Sequence, residues 1–142
     1  MKKKLNCILL IDDDEPTNFL SRLLLEEADC TNHIQVEQDG FSALEYLTRS
    51  ENGDGDLRYP CPDLIFLDIN MPAMNGWEFL DEYSRLENHH KGNVVMVMLT
   101  TSLNPDDRTK ADEIPDVSGF ETKPLTQEKL DYILKRYFPE VV

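Results

Sequence analysis

Leu5-Asn6-Cys7-Ile8-Leu9-Leu10-Ile11-Asp12-Asp13-Asp14 is an apolar run that stops abruptly in three carboxylates. A short run without polar alternation reads as a strand buried on both faces, which is the habit of parallel sheets. The same pattern returns in Leu64-Ile65-Phe66-Leu67-Asp68-Ile69-Asn70-Met71-Pro72, where Asp68 closes four apolar residues. Carboxylates set against an apolar core are costly unless paired. If the two strand ends meet, their mutual repulsion calls for a cation. The oxygen-rich set points to a hard divalent ion, with one carboxylate left free for chemistry.

Outward from these runs, helical and extended patterns alternate. Pro16 falls in a first helical turn, and Phe19, Leu20, Leu23, Leu24 and Ala28 follow at helical spacing as its apolar set. His33–Glu37 reads as a short strand. Asp39-Gly40 then caps a second helix carrying Phe41, Ala43, Leu44 and Leu47. The polar segment Ser50–Cys61 is expected to be a surface insertion. Its Asn52-Gly53-Asp54-Gly55-Asp56 lacks the closing Glu of a calcium loop. After Met71-Pro72-Ala73-Met74-Asn75-Gly76, a third helix begins with Trp77, Phe79, Leu80 and Tyr83. Val94–Leu99, the most hydrophobic run, is expected at the centre of the sheet. Asn104-Pro105-Asp106-Asp107 carries the cap, proline and acids of a helix start, and Pro115 ends that helix. Val117–Phe120 is the fifth strand. Thr126 caps a last helix with Leu130, Ile133, Leu134 and Tyr137.

Five strand–helix units predict an α/β fold, a parallel sheet covered by helices on both faces. Such sheets bind ligands outside the carboxyl ends of their strands. Asp12, Asp13, Asp68, Thr100 and Lys123 all fall on that edge. An aspartate can accept a phosphoryl group as an acyl phosphate. Such transfer needs mainly positioning and charge neutralisation. Carboxylates with a divalent ion, an ammonium and a hydroxyl supply those needs. One of the three consecutive acids, Asp14, is assigned to capping the first helix.

These motifs resemble the receiver domain of two-component response regulators. Leu9–Asp14 matches the family's acidic first-strand motif, and Leu67–Gly76 its acceptor motif. Met98-Leu99-Thr100-Thr101-Ser102 and Gly119-Phe120-Glu121-Thr122-Lys123-Pro124 match the other two, so the likeness runs from Cys7 to about Tyr137. It implies a single receiver domain over residues 1–142, similar to the stand-alone chemotaxis regulator. The fold would be flavodoxin-like, a doubly wound sheet of five parallel strands in the order 2-1-3-4-5 with five helices. Asp68 would be the phosphoacceptor. Mg2+ would sit on Asp12, Asp13, Asp68 and the backbone carbonyl of Asn70. Lys123 and Thr100 would engage the phosphoryl group, and Phe120 would be the switching aromatic. A cis Lys123-Pro124 bond is also implied. Thr101 stands where many relatives have a small residue, and its bulk would slow access to the phosphoryl group.

The resemblance further implies a histidine kinase or histidine phosphotransfer protein as donor, an unnamed downstream protein, and a monomer or weak homodimer. The signal would leave through the fourth helix, fifth strand and fifth helix. The chain would not be an enzyme beyond assisting its own phosphorylation and dephosphorylation. Two other readings stand beside it. A phosphorylation-independent binding module would be expected to lack an acid, Thr or Lys of the set. An aspartate-nucleophile phosphatase would need a second acid where Asn70 stands, and an amide cannot protonate a leaving group.

Composition sets outer limits. The 142 residues fit one domain, and the net charge of −14 opposes binding to nucleic acid or to an anionic membrane. That charge serves either solubility or the steering of a basic partner. No run approaches the length of a membrane span, and the lysines at 2–4 are expected to be a solvated start rather than a signal peptide. Cys7, Cys30 and Cys61 show no CxxC spacing, which fits reduced, core-filling thiols in a cytoplasmic setting. His33, His89 and His90 carry no pattern that would make them phosphoryl donors.

Overall fold

The computed structural model describes residues 3–52, 58–86 and 94–141. Five parallel strands form one sheet in the order β2-β1-β3-β4-β5. They are β1 (Ile8–Ile11), β2 (Ile34–Glu37), β3 (Leu64–Leu67), β4 (Val95–Thr100) and β5 (Gly119–Thr122). The helices between and after them are α1 (Glu15–Ala28), α2 (Gly40–Asn52), α3 (Gly76–Ser84), α4 (Pro105–Asp112) and α5 (Gln127–Tyr137). The expected doubly wound topology is the observed one.

Strand alternation divides the core in two. Leu9, Ile11, Ile65, Leu67, Met96 and Met98 face α2, α3 and α4, where they meet Ala43, Phe79 and Ala111. Ile8, Leu10, Leu64, Phe66, Val97 and Leu99 face α1 and α5, against Leu25, Leu130 and Ile133. Every residue of β1 and β3 is buried, which is why these strands read as unbroken apolar runs. Cys7 and Cys30 are free and buried, and burial pushes the Cys7 thiol up to about 12. Both act as small apolar fillers. Among the described residues no helix is long and apolar enough to cross a membrane.

Several expectations need correction. β4 is not central; β3 holds that place and β4 lies second from the edge. The β1 ladder starts at Ile8, with Leu5 making only an isolated bridge to Thr31. β5 lies two residues beyond the expected Val117–Phe120. Val117 is held in a turn by donating to the Ile114 carbonyl, and the ladder runs on to polar Glu121 and Thr122 because β5 is a half-exposed edge strand. α4, by contrast, ends as expected ahead of Pro115, at Asp112 with Glu113 as its C-cap, since the proline disfavours a helical Ile114. Ser50 belongs to α2 and is buried, so the connection starts later than expected. Its near end is pinned where the Cys61 thiol donates to the Ser50 carbonyl at 3.2 Å. Residues 53–57, with the glycine-rich acids, and His89 and His90 lie outside the described residues.

The largest misreading concerns α1. Phe19 and Leu20 are each 62% exposed and Leu23 41%, whereas Asn18, Ser21 and Leu25 face inward. The helix phase is set at its start. The Asp14 carboxylate accepts from the Thr17 N–H and hydroxyl, and the Asn18 amide donates to the Asp12 carbonyl at 2.8 Å. Those polar anchors turn Phe19, Leu20 and Leu23 outward, while Leu24 and Ala28 pack against the core as expected.

Candidate functional site

The ladder of the central strands places the acids. Beyond Ile11, the Asp12 N–H donates to the Glu37 carbonyl, and the Asp68 N–H donates to the Ile11 carbonyl at 3.0 Å. Asp68 therefore emerges beside Asp12. On the other flank the Lys123 N–H donates to the Thr100 carbonyl at 2.8 Å, which continues the β4–β5 pairing by one step. The Lys123-Pro124 peptide is cis, as the resemblance implied.

The Lys123 ammonium lies 2.5 Å from an Asp12 oxygen and 3.5 Å from an Asp68 oxygen. Asp12, Asp13 and Asp68 each offer an oxygen, all within 4.8 Å of one another. Asp12 and Asp68 are buried and Asp13 is exposed. Burial pushes the Asp68 carboxyl up, and the Asp12 charge pushes it further; Lys123 and the N–H groups of Asn70 and Ile69 pull the other way without cancelling the shift. Burial would lower Lys123, yet its bonds and charge pairing with Asp12 and Asp68 prevail and raise it.

Among the described residues, three carboxylates, two of them buried, face one ammonium, and this residual negative charge is a good fit for a divalent cation. Asp14 stands apart from the cluster, its carboxyl held below the usual range by hydrogen bonds from Thr17, as a helix cap should be. Thr100 is fully buried, and its hydroxyl oxygen accepts from the Ser102 N–H at 3.2 Å. Thr101, the next residue, is exposed. Phe120 is half-buried on the helix α4 side, with the Arg108 guanidinium 5.8 Å from its ring centroid.

Two supporting residues escaped the sequence reading. Asn18 fixes the Asp12 backbone from α1. Its signal was a polar residue one turn past the Asp14 cap. Gly76 donates its N–H to the Ile69 carbonyl at 2.8 Å, and a Cβ there would lie 2.5 Å from the Asp68 carbonyl oxygen. Only glycine lets α3 begin against the acceptor strand. His33, by contrast, is engaged by the Gln35 amide at 3.0 Å on the β2 edge, away from the acids.

The family model for the response regulator receiver domain matches residues 8–135. The chain belongs to this family, whose members are the signalling switches of two-component systems. The "Probable methanogenesis regulatory protein FilR2" of Methanothrix harundinacea is 32% identical over 123 residues, covering 87% of this chain and 75% of that protein. The crystal structure of a two-component response regulator from Cytophaga hutchinsonii superposes with a TM-score of 0.84 at 31% identity, covering 96% of this chain and 99% of the other. The Mn(2+)-bound form of response regulator Rcp1 is 28% identical with a TM-score of 0.67, covering 96% of each chain.

Proposed function

We propose that this chain is a phosphorylation switch that takes a phosphoryl group on Asp68 from a phosphohistidine of a histidine kinase or phosphotransfer protein. The observation that carries the reading is the cluster itself, two buried carboxylates, Asp12 and Asp68, side by side and both within reach of one lysine. An Asp68 oxygen attacks phosphorus and forms a P–O bond. The P–N bond to the donor imidazole breaks, and its electron pair stays on that nitrogen. Lys123 is already held within reach of Asp68 and would neutralise a phosphoryl oxygen. The buried Thr100 hydroxyl would donate to another.

Mg2+, held by Asp12, Asp13, Asp68 and the Asn70 carbonyl, would supply charge neutralisation for the anionic group and the acids around it. The cluster geometry supports this, and so does the divalent ion carried by the Rcp1 structure. Withdrawal of Thr100 toward the phosphoryl group would open space for Phe120 to turn inward. The surface of α4, β5 and α5 would change with it and favour one state of a downstream protein. A cytoplasmic setting suits this chemistry.

The test is phosphoryl uptake from a small acyl-phosphate donor, read by intact mass with and without Mg2+. One phosphoryl group should be added in Mg2+ only, and Asp68→Asn should add none. Uptake that persists in Asp68→Asn would reassign the acceptor; no uptake in the parent chain, with no Mg2+ binding by calorimetry, would return the fold to a plain binding module.

A further inference from the structure

A groove of about 680 Å³ runs between α3 and α4, on the flank of α4 opposite Phe120. Its floor is Met74, Leu80 and Ile114, and Phe41 and Pro115 stand at its margin. Phe41 is 60% exposed there, although a phenylalanine has much to gain from cover. Trp77 forms part of the wall, and the Lys110 ammonium reaches across from α4 to sit 4.6 Å from its ring centroid.

The rim is acidic. Among the described residues, Glu78, Asp81, Glu82 and Asp116 line it against a single cation, Lys110. Arg85 pairs with Asp81 at 3.0 Å and Glu82 at 3.2 Å from outside, so the described residues set four carboxylates against two cations, a net of −2. An apolar floor inside a charged rim is the layout of a protein interface. Lys110 reveals the chemistry this rim accepts, namely an ammonium on an aliphatic stem laid over an indole face. A second copy of the chain is a poor occupant, because each copy carries a net charge of −14.

We propose that the α3–α4 groove docks a short amphipathic segment of a partner protein, with apolar anchors on one face and lysine or arginine on the other. The site goes beyond the phosphoacceptor chemistry and does not depend on it. It gives α4 a second protein contact, on the side away from the α4–β5–α5 surface. Lys110 acts as an internal competitor, because an incoming cation must displace it from Trp77.

The probes are three helical peptides of about twelve residues with one shared leucine face and polar positions filled by lysine, glutamine or glutamate. Amide and Trp77 indole signals of the full chain are followed by NMR. The lysine peptide should shift Trp77, Leu80, Lys110 and Ile114 and bind about tenfold tighter than the glutamine peptide, while the glutamate peptide should not bind. Lys110→Ala should tighten the lysine peptide by about fivefold, the worth of a surface cation–π contact, an effect that a merely structural lysine would not give. Ile114→Glu should abolish binding; the exposed Phe41→Ser serves as the second variant if that chain misfolds. The proposal fails if the three peptides bind alike, if the shifts fall elsewhere, or if nothing moves at about 1 mM peptide. It also fails if phenethylammonium alone binds as tightly as the lysine peptide, since the site would then be one for a small cation.

Discussion

The strands that hold the acids and the elements beside the proposed switch are built to opposite standards. β1 and β3 are buried along their whole length, and their ladder runs without a break into Asp12 and Asp68. β5 is half-exposed throughout, and α4 offers the core one buried residue, Ala111. What fastens α4 otherwise is peripheral: Arg108 over Phe120, Lys110 over Trp77, and a hydrogen bond from the Ser102 hydroxyl to the Asp107 carboxylate. Contacts of this kind are individually weak and open first. A costly charge cluster needs a stiff frame, whereas a response to that cluster needs neighbours that yield. The difference in packing supplies both within one sheet.

The widest expected gap sets one aromatic against another. Phe66 on β3 is 2% exposed, and Phe66→Ala should cost about 4 kcal/mol in urea unfolding. Phe120→Ala, from a half-buried site on β5, should cost roughly 1–2 kcal/mol on the same scale. Equal losses would break the contrast. Next in size is Gly76→Ala. The new Cβ meets backbone on two sides, Asp68 oxygen at 2.5 Å and Ile69 Cα at 2.9 Å, so neither neighbour can swing away. A loss of about 2–3 kcal/mol is expected, together with weaker Mg2+ binding, because the Asp68 backbone must shift.

Asp68 itself should act in the reverse direction. Burial and the Asp12 charge raise its carboxyl above the usual value of 3.8, so the folded chain holds that proton more tightly than the unfolded one. The associated stability is complete below the ordinary value and is lost as pH rises through the raised one. Asp68→Asn removes the charge while keeping the shape, and Lys123 keeps its closer partner Asp12. Without metal, the variant should be about 1 kcal/mol more stable near neutral pH, with the advantage fading toward pH 4. Saturating Mg2+ should erase or invert it, because only the parent offers the full set of oxygens. Melting curves across pH, with and without Mg2+, decide the matter; an advantage that grows toward low pH would contradict the sign.

How far the sequence could be read follows the same division. The strand-end placement of Asp12, Asp68 and Thr100 was legible because unbroken apolar runs define doubly buried strands, and that of Lys123 because parallel sheets gather ligands at one edge. The Asp14 and Asn104 caps were legible because their hydrogen bonds are local. Failures came where long-range packing decides. The outward face of α1 follows from Asn18 reaching Asp12, which periodicity cannot see. β5 slipped by two residues because an edge strand tolerates Glu121 and Thr122. β4 was placed at the centre for its hydrophobicity, yet β3 is equally apolar, and only the crossover order separates them.

The smallest expected effects lie at α4. Arg108→Ala and Lys110→Ala each remove one cation–π contact made by an exposed side chain, and each should cost at most about 1 kcal/mol globally. Hydrogen exchange should nevertheless separate them from neutral surface changes. Amides of residues 107–112 should exchange faster in both variants, while those of Ile8–Ile11 and Leu64–Leu67 stay as protected as in the parent. The two losses should add, because the rings they leave, Phe120 and Trp77, stand on different elements. Faster exchange throughout the sheet would mean that α4 unfolds only with the whole molecule. The contrast between a stiff acid site and a yielding neighbour would then fail, and the proposed switch would have to move as one rigid body.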